Sequence, residues 1–458
     1  MTGRVNSSQT SLKQPSGTKV SPVARREFSS RRRRLMAMLE PNSIAIVPAA
    51  QAAIRTRDTE YRFRQNNDFY YLTGFEEPNA VAVFIPGRQH GEYVLFCQER
   101  DPHLELWHGA HVGTEMACER FGADDAFPLA DIDDILPGLI EGRSHVYYSM
   151  GRSAEFDARV MAWVNSLRSK VAAGAQSPGG FMDLDRLVHE LRLYKSAAEL
   201  RQLRRSAEIS VLAHRRAMRQ CRPGLFEYQL EAELVHEFAV HGARDEAYTT
   251  IVAGGKNACT MHYVSNRDRL RSGDLVLIDA GCEYELYASD ITRTFPVNGR
   301  FTRRQKQLYK IVLAAQEAAF SALKPGRDWN EPHTASVEVI TCGLLELGLL
   351  KGRLSTLLER EAYRKYYPHR VGHWLGLDVH DVGEYRLADA WRILECGMVL
   401  TIEPGIYIPI DDETVPAPWR GMGVRIEDNV AITANGYDLL TSGLPRSTQE
   451  VEAWMNLS

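Results

Sequence analysis

The chain has 458 residues, of which 44% are hydrophobic and 25% are charged, so it is long enough for two or three globular domains. The formal charge of −4 is unevenly distributed along the chain. Residues 1–34 carry nine Lys or Arg and one acid, a charge of +8, which leaves −12 for the remainder. An acidic body argues against nucleic acid as the partner, and no apolar run reaches the ~18 residues that a membrane span needs.

The cysteines argue against both a thiolate zinc site and a dense disulfide framework. They lie at least 21 residues apart, without a Cys-X-X-Cys pair, at Cys97, Cys118, Cys221, Cys259, Cys282, Cys342 and Cys396. We therefore expect reduced thiols that pack as small hydrophobic side chains, as in a cytoplasmic protein.

The N-terminal segment has an unusual composition. Residues 1–26 are rich in Ser, Lys and Arg and contain no acid, a composition that organellar transit peptides share. Glu40, Pro41 and Asn42 interrupt any signal-type hydrophobic run after the arginines at 31–34. We predict a disordered extension over 1–23 and a cytoplasmic location. The alternative is an organellar location, if residues 1–26 are a transit peptide.

The predicted elements of the first part of the chain alternate between helices and strands. A helix is predicted from Phe28 to Leu39, and the segments SIAIVPAA, AVAVFIPG, GEYVLFCQ and HVYYSM read as strands. FDARVMAWVNSLRSKV follows as a helix. This order predicts an α/β N-terminal domain over 24–180, with the small-residue stretch AAGAQSPGGF at 172–181 as the linker.

The remainder, 181–458, has the pattern of an α+β domain. ELRLYKSAAELRQLRRSAEISVLAHRRAM carries repeated Leu, Ile and Val on one face, which predicts a long helical region that ends at CRPG. FEYQLEAELVHEFAVHG predicts another helix, which stops at Gly242. Beyond it the chain is rich in strand patterns, apart from a helical interval around 303–351.

Two aspartates lie at the start of this strand-rich part. In DLVLIDAG, Asp279 shares a strand face with Leu275 and Leu277, and a short turn through CEYELYAS leads to Asp290. A hairpin of that length can bring the two carboxylates together. Because a buried unpaired carboxylate costs roughly several kcal/mol, the pair needs either a metal ion or a salt bridge, for which Arg293 is the candidate.

Two glutamates occupy similar positions in later strands. MVLTIEPGIYI places Glu403 on one face with Thr401, and GVRIED places Glu427 on one face with Arg425. A single acid at the end of a strand is common and carries little weight. Four acids in four strand-like segments within about 150 residues indicate that the four carboxylates act together at one site.

The segment PHRVGHWLGLDVHD adds three histidines, His369, His373 and His380. Their spacing does not make an HExxH metalloprotease helix, because Arg370, which we read as a solvated side chain, stands where that motif has Glu. Four carboxylates and one imidazole are nevertheless what two hard divalent cations require, and a metal-bound hydroxide is a strong nucleophile at neutral pH. The residues that predict such a metallohydrolase site are Asp279, Asp290, His373, Glu403 and Glu427.

Together these motifs resemble the aminopeptidase P family, which has the pita-bread fold. LIDAG, SDITRTF, HWLGLDVHDVG, TIEPGIYI and GVRIED carry the resemblance in the second part, and YRFRQNNDFYYLTGF at 61–75 resembles the family's N-terminal domain. The similarity runs from about residue 24 to the end. It implies a Xaa-Pro aminopeptidase, which releases the N-terminal residue from peptides with proline in second position, and a homo-oligomer, either a dimer or a tetramer.

The resemblance also implies a role for each site residue. Asp279 is a bidentate ligand of one metal ion, and Asp290 and Glu427 bridge both ions. His373 and Glu403 bind the second ion, and the family prefers manganese. The residues implied to line the substrate site and the proline pocket are His262, His369, His380, Tyr407 and Arg425.

In the implied reaction a metal-bridging hydroxide attacks the scissile carbonyl. Glu403 takes the proton of the attacking water and passes it toward the proline nitrogen, which leaves poorly unless it is protonated. His380 donates to the developing oxyanion, and His262 helps to place the substrate. Two positions depart from the family pattern, because Leu286 and Ser289 stand where glycine is usual, and the extension of about twenty residues at the N-terminus has no counterpart.

Two alternatives stay open. The Xaa-Pro dipeptidases share the motif set and cleave only dipeptides, although the N-terminal segment favours aminopeptidase P. A catalytically silent pita-bread module that binds peptides or proteins is the other alternative, but such a module would be expected to lack part of the metal set. Cleavage of Xaa-Pro-Xaa tripeptides against Xaa-Pro dipeptides and a metal analysis would discriminate among the three.

Overall fold

In the computed structural model the described residues run from 22 to 456. They form two compact units, one that ends at Leu184 and one that begins at Asp185, against a predicted domain boundary between 180 and 181. Of the predicted disordered extension, residues 1–21 lie outside the described part of the chain. No helix among the described residues is both long and apolar enough to cross a membrane.

The first unit is built on one mixed sheet. Its helices are α1 Pro22–Met38, α2 Asn67–Thr73, α3 Pro102–His108, α4 Gly113–Phe121, α5 Ile132–Ile140 and α6 Ala154–Ser169. Its strands are β1 Ser43–Pro48, β2 Ile54–Thr56, β3 Thr59–Glu60, β4 Val81–Phe84, β5 Tyr93–Cys97, β6 Asp125–Pro128, β7 His145–Tyr147 and β8 Gly180–Met182. The sheet has the order β6-β5-β4-β1-β7-β8, with β1 antiparallel to β4 and parallel to β7.

Helices packed on this sheet confirm the predicted α/β class. Ile44 and Ile46 of β1 share one apolar core with Val160 of α6. The predicted linker at 172–181 is wrong at its end, because Gly180–Met182 forms β8 and Phe181 pairs with Val146 of β7. Phe181 also packs against the core, so an aromatic side chain ties this glycine-rich stretch to the sheet.

The second unit carries the remaining elements. Its helices are α7 Asp185–Leu193, α8 Ala197–Gln220, α9 Glu227–Val240, α10 Arg303–Ala322, α11 Glu331–Glu346, α12 Leu354–Glu359 and α13 Thr448–Met455. Its strands are β9 Asp245–Glu246, β10 Ile251–Gly254, β11 Leu275–Asp279, β12 Cys282–Tyr284, β13 Tyr287–Ala288, β14 Thr292–Pro296, β15 Arg386–Leu387, β16 Ala390–Trp391, β17 Val399–Ile402, β18 Gly405–Ile408, β19 Met422–Arg425, β20 Asp428–Thr433 and β21 Gly436–Leu439.

Small antiparallel sheets and long helices give this unit the predicted α+β class. The sheets that matter for the site have the orders β10-β11-β14, β17-β20-β21 and β18-β19. Val276 and Ile278 of β11 and Leu308 and Val312 of α10 lie in the same core, which is the largest of the unit. The strands of these sheets are buried on both faces, so a polar side chain at their ends lies in a largely buried environment.

The predicted long helical region is in fact two helices, α7 and α8. Ser196 caps α8, because its hydroxyl accepts from Glu199 N at 3.3 Å while Ser196 N donates to the Glu199 carboxylate at 3.0 Å. Beside this cap, Lys195 Nζ binds the buried carboxylate of Asp381 at 2.8 Å. A capping box and a buried ion pair thus interrupt an amphipathic pattern that continues through both helices.

Candidate metal centre

Strand pairing brings the two aspartates of the centre together. Asp279 ends β11, and antiparallel pairing with β14 places it opposite Thr292. Asp290 lies two residues before Thr292, beyond the β12–β13 hairpin. Side chains alternate along β11, so Asp279 lies on the face opposite Val276 and Ile278, as the sequence predicted.

The two glutamates come directly after buried residues at the ends of strands. Glu403 follows Ile402, the last residue of β17, and Glu427 follows Ile426 between β19 and β20. Both isoleucines are fully buried in hydrophobic clusters. The carboxylates therefore point to the opposite side, which is the side predicted from the sequence.

The backbone holds the predicted histidine ligand against β17. Thr401 N donates to His373 O at 2.9 Å, and His373 N donates to Thr401 Oγ1 at 3.1 Å. Position 372 requires glycine, because a Cβ on Gly372 would lie 1.9 Å from Thr401 O. Nδ1–H of His373 donates to Trp374 O at 2.9 Å, which leaves Nε2 free to face the carboxylates.

The structure brings the five predicted ligands to one place. Nε2 of His373 lies 3.3 Å from Asp290 Oδ2 and 3.7 Å from Glu403 Oε1. Ligand atoms of Asp290, His373 and Glu427 all lie within 4.8 Å of one another. Asp279 joins the group through a tyrosine hydroxyl that also contacts Asp290.

The centre holds more negative charge than the surrounding protein neutralises. Burial, with the charges of Asp290 and Asp279, raises the pKa of Glu403 to about 7. Burial also raises the pKa of Glu427 well above its usual value. Burial opposes a charge on His373, but the hydrogen bond and charge of Asp290 outweigh it and raise the pKa of His373 to about 9. A crowded set of oxygen ligands with one imidazole fits two divalent cations, which would relieve this repulsion.

A second group of predicted residues forms a hydrogen-bonded chain that starts at Asp279. Arg425 Nη2 donates to Asp279 Oδ2, and Arg425 Nη1 donates to the Tyr407 hydroxyl at 3.0 Å. His369 Nδ1–H donates to Arg370 O at 2.8 Å, so its Nε2 accepts from the Tyr407 hydroxyl at 2.8 Å. Burial, with the charge of Arg425, lowers the pKa of His369 to about 3 and keeps this imidazole neutral.

The remaining predicted histidines are more exposed than the predicted ligands. His380 and His262 are exposed, whereas Asp290 and Glu427 are buried. The His380 ring packs edge-on against His373, with 4.2 Å between the ring centroids.

Three residues that contact the predicted ligands were not themselves predicted. The Thr292 hydroxyl donates to Glu427 Oε2 at 2.7 Å, and Asn429 Oδ1 accepts from Asp290 N at 3.1 Å. Both lie within two residues of a predicted ligand, so their polar side chains beside buried neighbours were an available signal. Tyr248 contacts two ligand carboxylates from a segment far from every motif, and no local pattern marked it.

The salt bridge to Arg293 that was considered for the two aspartates is wrong. The fully buried guanidinium of Arg293 binds Asp428 at 2.7 Å. The arginine that contacts Asp279 is Arg425, which comes from a different strand. No described arginine or lysine forms an ion pair with Asp290, whose partner within salt-bridge distance is the imidazole described above.

The two departures from glycine are accommodated near the hairpin. Glu285 and Leu286 form its turn with φ of 49° and 67°, a left-handed conformation that costs a non-glycine residue about 1–2 kcal/mol. Ser289 is buried, and its hydroxyl lies 2.9 Å from that of Ser206 and 2.8 Å from that of Ser210. The hairpin thus keeps the two aspartates together at a small conformational cost.

Replacing Tyr248 with Phe should weaken metal binding by about 10- to 100-fold, the usual effect of losing a group that orients a ligand. The ring stays, but the hydroxyl that contacts Asp279 Oδ1 at 2.6 Å and Asp290 Oδ1 at 2.5 Å is lost. Calorimetric titration of the metal-free protein with Mn²⁺ measures this change. Tyr437→Phe, at a half-exposed tyrosine in β21, is the control. Equal affinities in wild type and Tyr248→Phe would exclude an orienting role.

The chain is similar to known metallopeptidases in sequence and in structure. Residues 201–434 match Metallopeptidase family M24, and residues 28–147 match Aminopeptidase P, N-terminal domain. The Xaa-Pro aminopeptidase of Escherichia coli K12 is 46% identical over 437 residues, which are 95% of this chain and 99% of that protein. The solved structure of Pseudomonas aeruginosa aminopeptidase PepP has a TM-score of 0.93 and 59% identity, covering 94% of this chain and 98% of that one. Zinc-substituted E. coli aminopeptidase P in complex with product has a TM-score of 0.92 and 46% identity, with coverages of 95% and 99%.

Proposed function

Since the chain belongs to the aminopeptidase P enzymes of metallopeptidase family M24, we propose that its centre holds two divalent metal ions. It has the pita-bread fold and is a metal-dependent Xaa-Pro aminopeptidase. The observation that carries the two-metal proposal is the meeting of Asp290, His373 and Glu427 within 4.8 Å. The proposed ligands are Asp279, Asp290, His373, Glu403 and Glu427.

We propose manganese as the resident metal. The ligand set contains four carboxylates and one imidazole and no thiolate, and hard oxygen ligands of this kind suit manganese or magnesium. When bound, the ions would polarise the scissile carbonyl and activate the attacking water.

Glu403 is the residue that would move the proton. Its carboxylate would take the proton of the attacking water and deliver it to the proline nitrogen of the scissile bond. That nitrogen belongs to a tertiary amide and leaves as an amine only when it is protonated. The position of Glu403 supports this role, because Oε1 lies 3.7 Å from His373 Nε2 and Oε2 lies 3.7 Å from His369 Nδ1. The carboxylate thus lies between the proposed metal ligands and the proposed substrate residues.

The other proposed residues would bind and orient the peptide. His380 would donate to the oxyanion that develops on the scissile carbonyl, a contribution whose loss costs about 10²–10³ in rate. His262, which is exposed, would help to place the substrate. His369, Tyr407 and Arg425 would line the proline pocket, where the neutral imidazole of His369 adds no charge beside an apolar ring.

A peptide assay with metal titration tests this function. The metal-free protein should gain activity on Xaa-Pro-Xaa tripeptides as Mn²⁺ is added, with saturation near two ions per chain and little cleavage of Xaa-Pro dipeptides. Cleavage confined to dipeptides would favour the Xaa-Pro dipeptidase instead. A protein that binds peptides but neither binds metal nor hydrolyses the peptides would be the catalytically silent pita-bread module.

We also propose that the enzyme is a cytoplasmic homo-oligomer, either a dimer or a tetramer. None of the seven cysteines forms a disulfide, which suits a reducing compartment. The oligomer follows from the family resemblance. Light scattering should give a mass that is twice or four times the 51.7 kDa of the chain.

A further inference from the structure

Glu227, the first residue of α9, is a fully buried carboxylate that the metal centre does not use. Its oxygens accept four hydrogen bonds. Oε1 accepts from Gly254 N at 2.8 Å and from Asn257 Nδ2 at 3.0 Å. Oε2 accepts from the Tyr263 hydroxyl at 2.8 Å and from Asp268 N at 2.8 Å. Four donors satisfy both oxygens, as a buried carboxylate requires.

All four donors belong to one segment, residues 254–268. Oε1 accepts from residues at the beginning of the segment, and Oε2 accepts from residues toward its end. One carboxylate therefore connects the two ends of the segment, and we call this arrangement the clamp. A further bond from Glu227 N to Asp268 O, at 3.0 Å, fixes the end from the backbone. The fit is close, because a Cβ on Gly254 would lie 3.3 Å from Glu227 Oε1 and 2.7 Å from Leu270 Cδ2.

The clamped segment carries His262 and touches the strands of the substrate group. His262 is exposed between Thr260 and Tyr263, and Tyr263 is one of the four donors. The segment also packs on β18 and β19, because Cys259 Sγ donates to Ile408 O at 3.2 Å and a Cβ on Gly423 would lie 2.1 Å from Ala258 O. These two strands carry Tyr407 and Arg425.

We propose that Glu227 is a positioning residue for peptide hydrolysis, which clamps residues 254–268 so that His262 is presented to the substrate. This inference rests on the substrate-placing role proposed for His262. The carboxylate itself touches neither the substrate nor the metal ligands, and it acts through the segment it holds.

The substitution Glu227→Gln tests the clamp. In this variant an NH₂ group replaces one acceptor oxygen, so at least one of the four donors loses its partner, while the backbone bonds from Tyr228 N to Asn266 O and from Leu270 N to Leu225 O remain. The hold of the carboxylate on one end of the segment is thereby weakened. We expect kcat/KM for a Xaa-Pro-Xaa tripeptide to fall by about 10- to 100-fold, the scale of misplacing a substrate-orienting group, with bound manganese unchanged. Trypsin should cut several-fold faster at the exposed Arg267, which lies within the segment next to Asp268. The matched control is Glu233→Gln on the same helix, where the carboxylate binds Arg216 at the surface and holds no loop.

A double-mutant cycle with His262→Ala separates positioning from a general loss of stability. If Glu227 acts through His262, Glu227→Gln adds no further loss of kcat/KM when His262 is already alanine. Losses that multiply would overturn the inference, as would full activity in Glu227→Gln. Tyr263→Phe, which removes one of the four donors, should give a smaller loss that also disappears beside His262→Ala, and it serves if Glu227→Gln fails to fold. Wild-type activity in His262→Ala would remove the role of His262 and this inference with it, whereas a wild type without tripeptide cleavage would contradict the proposed function itself.

Discussion

Replacing Glu403 with alanine is expected to lower kcat for Xaa-Pro-Xaa tripeptides by about 10³-fold or more. Glu403 is proposed both as a metal ligand and as the group that carries the proton, and a proton-transfer group alone contributes about 10²–10⁴ in rate. Its carboxylate lies 3.7 Å from His373 Nε2, so alanine also removes a neighbour of the imidazole ligand. Turnover at saturating tripeptide and excess Mn²⁺, with metal content measured on the same sample, gives the result.

A matched control accompanies this substitution. Glu413→Ala removes an exposed carboxylate from the loop after β18 and should leave kcat unchanged. The variant Glu403→Ala should still fold, because the carboxylate it removes is held at a raised pKa by burial among other acids. More than a tenth of wild-type kcat in metal-loaded Glu403→Ala would exclude Glu403 as the proton carrier.

Removal of the metal ions should abolish activity, and their return should depend strongly on pH. Without metal, the pKa of Glu403 is raised to about 7 by burial and by the charges of Asp290 and Asp279. The pKa of His373 is raised to about 9, chiefly by Asp290 against the effect of burial. The metal-free centre therefore holds protons at neutral pH. A metal ion must displace them, because its ligands are a carboxylate and a neutral imidazole.

The sign of the effect follows from these two groups. As the pH falls, more protons must leave when metal binds, so manganese affinity decreases by roughly tenfold per pH unit for each proton released. His373 contributes one proton at every pH below about 9, and Glu403 contributes another below about 7. The dependence of affinity on pH should therefore steepen below about pH 7, and Glu427, whose pKa burial also raises, adds to the effect.

Calorimetric titration of the metal-free protein between pH 6 and 8, in buffers with different ionisation enthalpies, measures both the affinity and the number of protons released. Glu403→Gln should lose the steeper region below pH 7, although it also binds metal more weakly. An affinity that does not change between pH 6 and 8 would contradict the proposed ligand set. Activity that persists after complete removal of metal would contradict the metal-dependent reaction.

Local sequence patterns predicted much of the candidate site. Alternation along β11 and β17 assigned Asp279 to the face opposite Val276 and Ile278, and Glu403 to the face opposite Ile402, and these three isoleucine and valine side chains lie in hydrophobic clusters. The α/β and α+β classes also followed from the order of local patterns. Such inferences succeed because side-chain direction repeats every two residues in a strand, so the position of an acid in the strand fixes the face that carries it.

Local patterns failed where an element is ended or joined by distant groups. The break before α8 depends on the Ser196 cap and on Lys195 binding Asp381, which is 186 residues away. The last residues of the predicted linker belong to the sheet, because Phe181 pairs with Val146 of β7 and packs against the hydrophobic core of the first unit. The amphipathic pattern continues from α7 into α8, and the small-residue pattern continues into β8, so neither pattern marks the boundary. Tertiary contacts set both boundaries.

The sequence by itself predicted a set of candidate ligands and the strand faces that carry them, and it determined the family to which the motifs are similar. Only the tertiary structure decided which polar groups hold those residues in place. Tyr248 reaches Asp279 across 31 residues, Asn429 reaches Asp290 across 139, and Glu227 holds a segment that ends 41 residues later. Hydrogen bonds of this kind depend on how separate elements align, and no pattern within one element encodes that alignment.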